Sequence, residues 1–286
     1  MARDVSWRTP KRRLFSTPLP VETRTYKPIS HKLLAKTTIK AIKESGFTVG
    51  NEEYFSAREG MVANARYTIV DIADDDMQLE IGWQNSYDKT LSLKFAIGTR
   101  IFICENGCVS GNFGAFAKKH MGDIKIFAPE EMKSAISDAA GIFEKMKQEK
   151  DAMKSIIISD RQKGELVGRL FLEKKFIGST QLNIIRDEIN HPTHDYLCTN
   201  SLWELYQYVT FSMKELHPRL WMDDHISVHQ FFTEVINEKE KIHALSIDIE
   251  ALIEKDDIDP AQINLLDVIE EEELKIKEDG SSLDKS

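Results

Sequence analysis

At Phe47 the hydrophobic pattern of this chain switches to a period of two, and it keeps that period as far as Glu105. Phe47–Arg58, Met61–Ile72, Met77–Trp83, Leu91–Ile97 and Arg100–Glu105 are rich in Val, Ile, Phe, Tyr and Thr and read as strands. The links between them decide the topology. Glu59-Gly60 joins the first two as a hairpin, and Ala73–Asp76 is a turn of three consecutive aspartates. A parallel pair needs a crossover of about a dozen residues or more, so links this short imply an antiparallel meander.

Helical patterns flank the strands. Ser30 is placed as an N-cap, Leu33, Leu34, Thr37, Ala41 and Ile42 share one face, and Gly46 lies just past the end. Pro129 suits a first helical turn and opens a long amphipathic helix over 129–155, with Met132, Ile136, Phe143 and Met146 at helical spacing. Further helices are expected near 160–176, 179–190, 200–216 and 225–238, and weaker ones at 241–255 and 260–278. The expected fold class is α+β: an N-terminal helix and antiparallel β-meander followed by a mostly helical C-terminal half. Residues 1–28 hold Pro10, Pro18, Pro20 and Pro28 without apolar periodicity and read as a basic extended or disordered arm. The expected divisions are 1–28, a helix plus sheet at 29–127, a helical half at 128–240, and an acidic helical or disordered tail at 241–286.

The net charge of −9 hides an asymmetry. Residues 1–43 carry eleven Lys and Arg against Asp4 and Glu22, whereas residues 238–286 carry sixteen acids against six lysines. A basic arm suits phosphates or an acidic protein surface, and an acidic tail repels nucleic acid or masks such an arm. No apolar run approaches the ~18 residues of a membrane span, and the N-terminus lacks an apolar signal core. Three cysteines are too few for a disulfide framework. These features lead to an expectation of a cytoplasmic protein with no membrane association.

Gly82-Trp83-Gln84-Asn85-Ser86-Tyr87-Asp88-Lys89 is a dense polar octet between two apolar runs. Asn85, Ser86 and Asp88 are good turn formers, so a structural turn with Trp83 in the core is one reading. In the other, Trp83 or Tyr87 stacks on a base or peptide while Lys89 pairs a phosphate or carboxylate. Together with Pro28-Ile29-Ser30-His31, Ile103-Cys104-Glu105-Asn106 and, more loosely, Leu202-Trp203-Glu204-Leu205-Tyr206 with Thr210, the octet resembles the phage- and prophage-borne proteins grouped as domain of unknown function 932. The resemblance runs over roughly residues 28–235. It implies a mobile-element protein and assigns no activity. The order of helix, antiparallel sheet and long helix is also similar to that of single-strand annealing recombination proteins, an analogy of architecture alone.

Other constellations also have blander readings. Cys104 and Cys108 with His191, His194 and Cys198 have enough ligands for zinc, although Cys104 ends an apolar run where a buried thiol is usual. His225 and His229 are spaced i, i+4 without an HExxH motif, and His217 stands nearby. Glu173-Lys174-Lys175 with Asp160 imitates a nuclease end, yet sits in a helical pattern. Gly107–Gly114 lacks the strand–helix context of a phosphate loop. No P-loop, dinucleotide fingerprint or nucleophile elbow is present, so no cofactor and no catalytic residue is expected.

The expected function is therefore that of a non-enzymatic, mobile-element-encoded binding protein and homo-oligomer. Its partner would be single-stranded nucleic acid in recombination or replication, or alternatively a host protein of a defence system that it masks. The candidate contacts are Lys11, Arg12, Arg13, Arg24 and Lys27 of the arm and Trp83, Asn85, Tyr87, Asp88 and Lys89 of the octet.

Overall fold

The computed structural model describes residues 7–101, 107–109, 116–196 and 198–256. Chain contacts divide it into a compact unit, Met1–Ile236, and a second unit, Asn237–Ser286.

Four long strands form the expected meander: β1 (Val49–Ala57), β2 (Val62–Ala73), β3 (Met77–Ser86) and β4 (Leu93–Ile101). Two three-residue strands, β5 (Gly107–Val109) and β6 (Phe116–Lys118), both pair antiparallel with β4. Helices α1 (Lys11–Phe15) and α2 (His31–Glu44) precede the sheet. After it come α3 (Ile124–Ser137), α4 (Ala139–Ser155), α5 (Asp160–Gly168) with a π-helical extension to Glu173, α6 (Ser179–Asn190), α7 (Leu202–Ser212) and α8 (Trp221–Asp256). This is an α+β fold.

Strand alternation gives the sheet two different faces. Tyr54, Ala65, Tyr67, Ile81, Trp83, Phe95 and Ile97 project into one apolar core with Leu34 and Ile42 of α2, Met132 of α3, Phe143 of α4 and Leu205 of α7. The opposite face carries Glu53, Asn64, Arg66, Glu80 and Gln84 in neighbouring register positions. Here the Arg66 guanidinium lies 4.4 Å from the Phe55 ring and 4.0 Å from that of Trp221. The side-chain amides of Asn64 and Gln84 both donate to the Pro218 carbonyl, at 2.9 and 2.6 Å. Trp221 and Met222 rest on Ala96 in a small separate cluster. Polar residues of the sheet are thus buried because the start of α8 covers them.

Several expectations change. Leu91–Ile97 and the beginning of the next expected strand are one strand, since Gly98 and Thr99 pair with both neighbours and make no turn. The long helix begins at Ile124, with Pro129 inside it, and breaks at Asp138. Both of its halves face the same core, so the hydrophobic period runs unbroken across the break. The arm from Trp7 onward is neither disordered nor wholly extended. Thr9 N–H donates to Tyr54 O at 2.7 Å, Ser56 N–H donates to Trp7 O at 2.9 Å, and Leu14 and Tyr26 are buried. The octet is not a loop either. Gly82–Ser86 complete β3, and the turn proper is 87–92.

At the opposite end of the sheet the Asp74–Asp76 turn is closed by Asp74 Oδ1, which accepts from the backbone N–H of Asp76 and Met77 at 2.9 Å each. Lys150 pairs with both Asp74 and Asp76, and Lys154 with Asp76, so the turn is clamped to α4.

The β1–β2 turn is the most demanding piece of backbone. Arg58, Glu59 and Gly60 all have positive φ, 51°, 56° and 89°. A Cβ added at Gly60 would lie 2.2 Å from Thr17 Oγ1. Gly60→Ala is therefore expected to cost about 2 kcal/mol or more, since αL strain and steric overlap both oppose it. Urea unfolding measures this, and a loss under ~0.5 kcal/mol would show that the turn relaxes freely.

Candidate functional site

The turns 58–60 and 87–92 lie at the same end of the sheet, where α2 also begins. Ser30 caps α2 by accepting from Leu33 N–H at 3.0 Å. That cap delivers His31, which is fully buried, to the strand ends. Its Nε2 lies 2.9 Å from the Gly60 carbonyl. A carbonyl can only accept, so Nε2 carries the hydrogen and Nδ1 accepts from the Asn85 amide at 3.0 Å. Asn85 also donates to Ile29 O at 2.9 Å, and the Tyr87 hydroxyl accepts from His31 N–H at 2.8 Å. The imidazole stacks on Tyr87 with centroids 4.0 Å apart, and on Trp83 at 6.0 Å. Two separated motifs, residues 28–31 and 82–89, thus meet in one buried network.

This network supports a cleft. The Tyr26 hydroxyl, held near the carbonyls of Ser86 and Tyr87 at 3.3 and 3.2 Å, ties the arm to the turn. Asp88 Oδ1 accepts from Thr90 N–H and its hydroxyl, Arg58 pairs with Asp88 at 2.9 Å, and Lys89 sits at φ 63°. Lys27 N–H donates to His120 O at 2.8 Å. Between these pieces lies an open cleft of about 310 Å³, lined by Thr25, Tyr26, Lys89, Thr90, Leu91, Ser92, Lys119, His120 and Met121. Its lining contains two lysines and no carboxylate. Neither lysine makes an ion pair among the described residues, and Lys89 Nζ stands 4.9 Å from the Tyr26 ring. His120 is only 5% exposed, and neither of its ring nitrogens has a partner among the described residues. Burial lowers its pKa below the ordinary value. A smaller cleft of about 220 Å³ at this end of the sheet is lined by Arg8, Arg13, Arg58 and Glu59 among others, with Arg8 paired to Glu53 and Arg58 to Asp88.

The other candidate contacts fare differently. Arg12, Arg13 and Arg24 are exposed, whereas Lys11 pairs with Glu52 at 2.5 Å and Lys27 with Glu22. Trp83 is 0% exposed and donates from Nε1 to the Tyr67 hydroxyl at 3.0 Å, and Asn85 and Tyr87 are also buried. A stacking role for Trp83 or Tyr87 would require the core to open. Their polar atoms serve the network, which is the architectural reading of the octet.

Of the zinc candidates, Cys104 lies outside the described residues, and of Cys108 only the strand backbone is described. Cys198 is an exposed free thiol, and His194 packs edge-on against Tyr196 and Phe211. No group of three or more possible ligands is placed to hold a metal among the described residues. His225 and His229 are buried, with His229 bonded to the Tyr206 hydroxyl at 2.9 Å and to Glu149 at 3.0 Å. Asp160 is exposed and Lys174 pairs with Glu234, so the nuclease-like run is a solvated surface.

His31, Lys119 and His120 were missed as site residues. For His31 the signal was its place just after the N-cap in a resembling motif. For Lys119 and His120 it was only the basic triplet beyond a glycine-rich stretch.

Burial depresses the His31 pKa to about 4, against about 6.5 in an unfolded chain. The unfolded state therefore binds the proton first. Stability from this group is whole above pH 6.5 and is lost as the pH falls toward 4. By pH 5 it should contribute about 2 kcal/mol less than at pH 7. His225, depressed to about 3, acts in the same direction, and Asp224, raised to about 6 chiefly by burial, acts against both. The His31→Gln variant isolates the effect. Its stability at pH 7 should fall, and its urea midpoint should change less between pH 7 and 5 than that of the parent. Parallel pH curves for the two would remove His31 as the cause.

Comparison with known proteins matches the sequence pattern of the family described as Domain of unknown function (DUF932) to residues 18–221. Two curated proteins of Escherichia coli (strain K12) are similar over 129 residues, UPF0380 protein YfjQ at 28% identity and UPF0380 protein YafZ at 27%. Each alignment spans 45% of this chain and 45% of the relative, so less than half of either protein is compared. No solved structure matches. The profile match covers both motifs that meet at His31 and most of the compact unit, and on that ground the chain belongs to the DUF932 family.

Proposed function

We propose that this chain is a non-enzymatic binding protein of mobile-element origin that holds single-stranded nucleic acid by its phosphates. The carrying observation is the acid-free cleft of Lys89, Lys119 and His120 in a protein whose net charge is −9. Arg13 at the neighbouring cleft and the exposed Arg12 extend the same field along one end of the sheet. Trp83 and Tyr87 are buried, so the reading is one of backbone contacts with little base stacking. Such binding tolerates any sequence and weakens steeply with salt. A volume of about 310 Å³ suits one nucleotide and not a duplex. Action in the cytoplasm and as a homo-oligomer belongs to the same proposal. Among the described residues, no helix is long and apolar enough to cross a membrane.

The test is fluorescence anisotropy of an oligodeoxythymidine across a salt series, with the full chain and the Lys89→Ala/Lys119→Ala variant. Both side chains are exposed, so folding should survive. The variant should bind at least tenfold more weakly at low salt. The slope of log K against log salt should shrink by about 1.4, at ~0.7 per single-strand phosphate contact. If the parent fails to bind at low salt while a host protein co-purifies with it after nuclease treatment, the alternative of a masked protein partner replaces this reading.

A further inference from the structure

The same cleft carries a more specific assignment, which rests on the nucleic-acid reading. We propose that Lys89, Lys119 and His120 form a seat for a phosphate monoester, the phosphorylated end of a single strand, and that internal phosphodiesters bind it less well.

The argument is one of charge and closure. An internal phosphodiester carries one negative charge, whereas a terminal monoester carries close to two at neutral pH. Two lysines with no carboxylate in the lining already exceed what one diester needs. The hydroxyls of Thr25 and Ser92 add further donors, while that of Thr90 is committed to Asp88. His120 supplies the variable charge. His120 lines the cleft with its ring edge-on to Tyr26 at 5.7 Å, and both ring nitrogens are enclosed and, among the described residues, unpartnered. An imidazole left in that state has lost its bonds to water without replacement, which is costly unless a ligand compensates.

The ionisable groups facing it are Tyr26 and Lys27 from the arm, Lys89 from the β3–β4 turn, its neighbour Lys119, and His31 at the start of α2. None of these described groups is a carboxylate that would hold a proton on the ring, and burial disfavours the charged form, so it is neutral while the cleft is empty. A dianion beside it reverses the balance. Once the ring turns a nitrogen toward the phosphate it gains a proton, and the cleft a third positive charge.

The experiment compares three probes with the full chain at constant salt: one oligonucleotide bearing a 5′-phosphate, the same strand with a 5′-hydroxyl, and a mononucleotide as competitor. The phosphorylated strand should bind at least tenfold tighter than its hydroxyl counterpart, and Lys119→Ala should abolish that preference. In NMR the His120 ring should titrate at a higher pH when inorganic phosphate is present. Lys119 is exposed, so its variant should keep the fold, and the His120→Gln variant gives a second arm if needed. Equal affinity for the two strands would overturn the monoester seat and leave general nucleic-acid binding standing. Binding of neither strand would overturn both readings. A mononucleotide that competes as well as the phosphorylated strand would identify a free nucleotide as the source, which still supports a monoester site.

Discussion

One neutral imidazole joins three parts of this fold. His31 donates to the β1–β2 turn through Gly60, accepts from β3 through Asn85, and lies flat on Tyr87 at the strand's end. The Asn85 bond depends on the ring staying uncharged, because a second ring hydrogen would have to point at the donating amide. Burial keeps it so. The β1–β2 turn, the start of α2 and Tyr87 all meet at this ring. The arm is fixed in turn, since Tyr26 reaches the carbonyls of Ser86 and Tyr87.

What stands above this joint is a local field at odds with the whole molecule. A net charge of −9 would discourage a polyanion if it were spread evenly. Mobile ions screen exposed charges beyond about 8–10 Å at ordinary salt, so a ligand at the cleft responds mainly to what lines it. Several carboxylates of the arm, β1 and the β3–β4 turn are already engaged. Glu22 braces Lys27 and Lys125, Glu52 holds Lys11, and Asp88 is tied to Arg58 and Thr90. Neutralising such acids by internal pairing lets a few unpaired lysines set the sign of one small region.

The meander and the flanking helices were legible because period-two runs with short links leave few other arrangements. Ser30 and Gly46 marked the ends of α2 correctly for the same local reason: an N-cap oxygen and a left-handed glycine act on neighbouring backbone. Of the octet's two readings the structural one, with Trp83 in the core, fits the fold, although Gly82–Ser86 are the end of a strand and not a turn. Gln84 and Asn85 are polar since they satisfy backbone carbonyls that no strand reaches, at Pro218 and Ile29. Partners separated by more than fifty positions leave no local trace. The break at Asp138 was invisible because a helix interrupted over one core keeps its hydrophobic phase. The cleft was missed because it is assembled from residues 25–26, 89–92 and 119–121, none of which forms a motif alone.

The way residues 7–9 lie along β1 has a further consequence. An antiparallel sheet ends in strands whose outer backbone groups invite pairing with another chain. Here Trp7 and Thr9 occupy those groups opposite Tyr54 and Ser56, and a register shift between Val49 and Glu52 distorts the remainder of the edge. The basic stretch is therefore a guard on the sheet as well as a source of charge. A chain shortened by its first 28 residues would lose Leu14 and Tyr26 from the interior and bare a strand edge to its neighbours. Its aggregation would then resemble a loss of ligand affinity, so the arm's charge is better probed by single substitutions at exposed positions than by removing it.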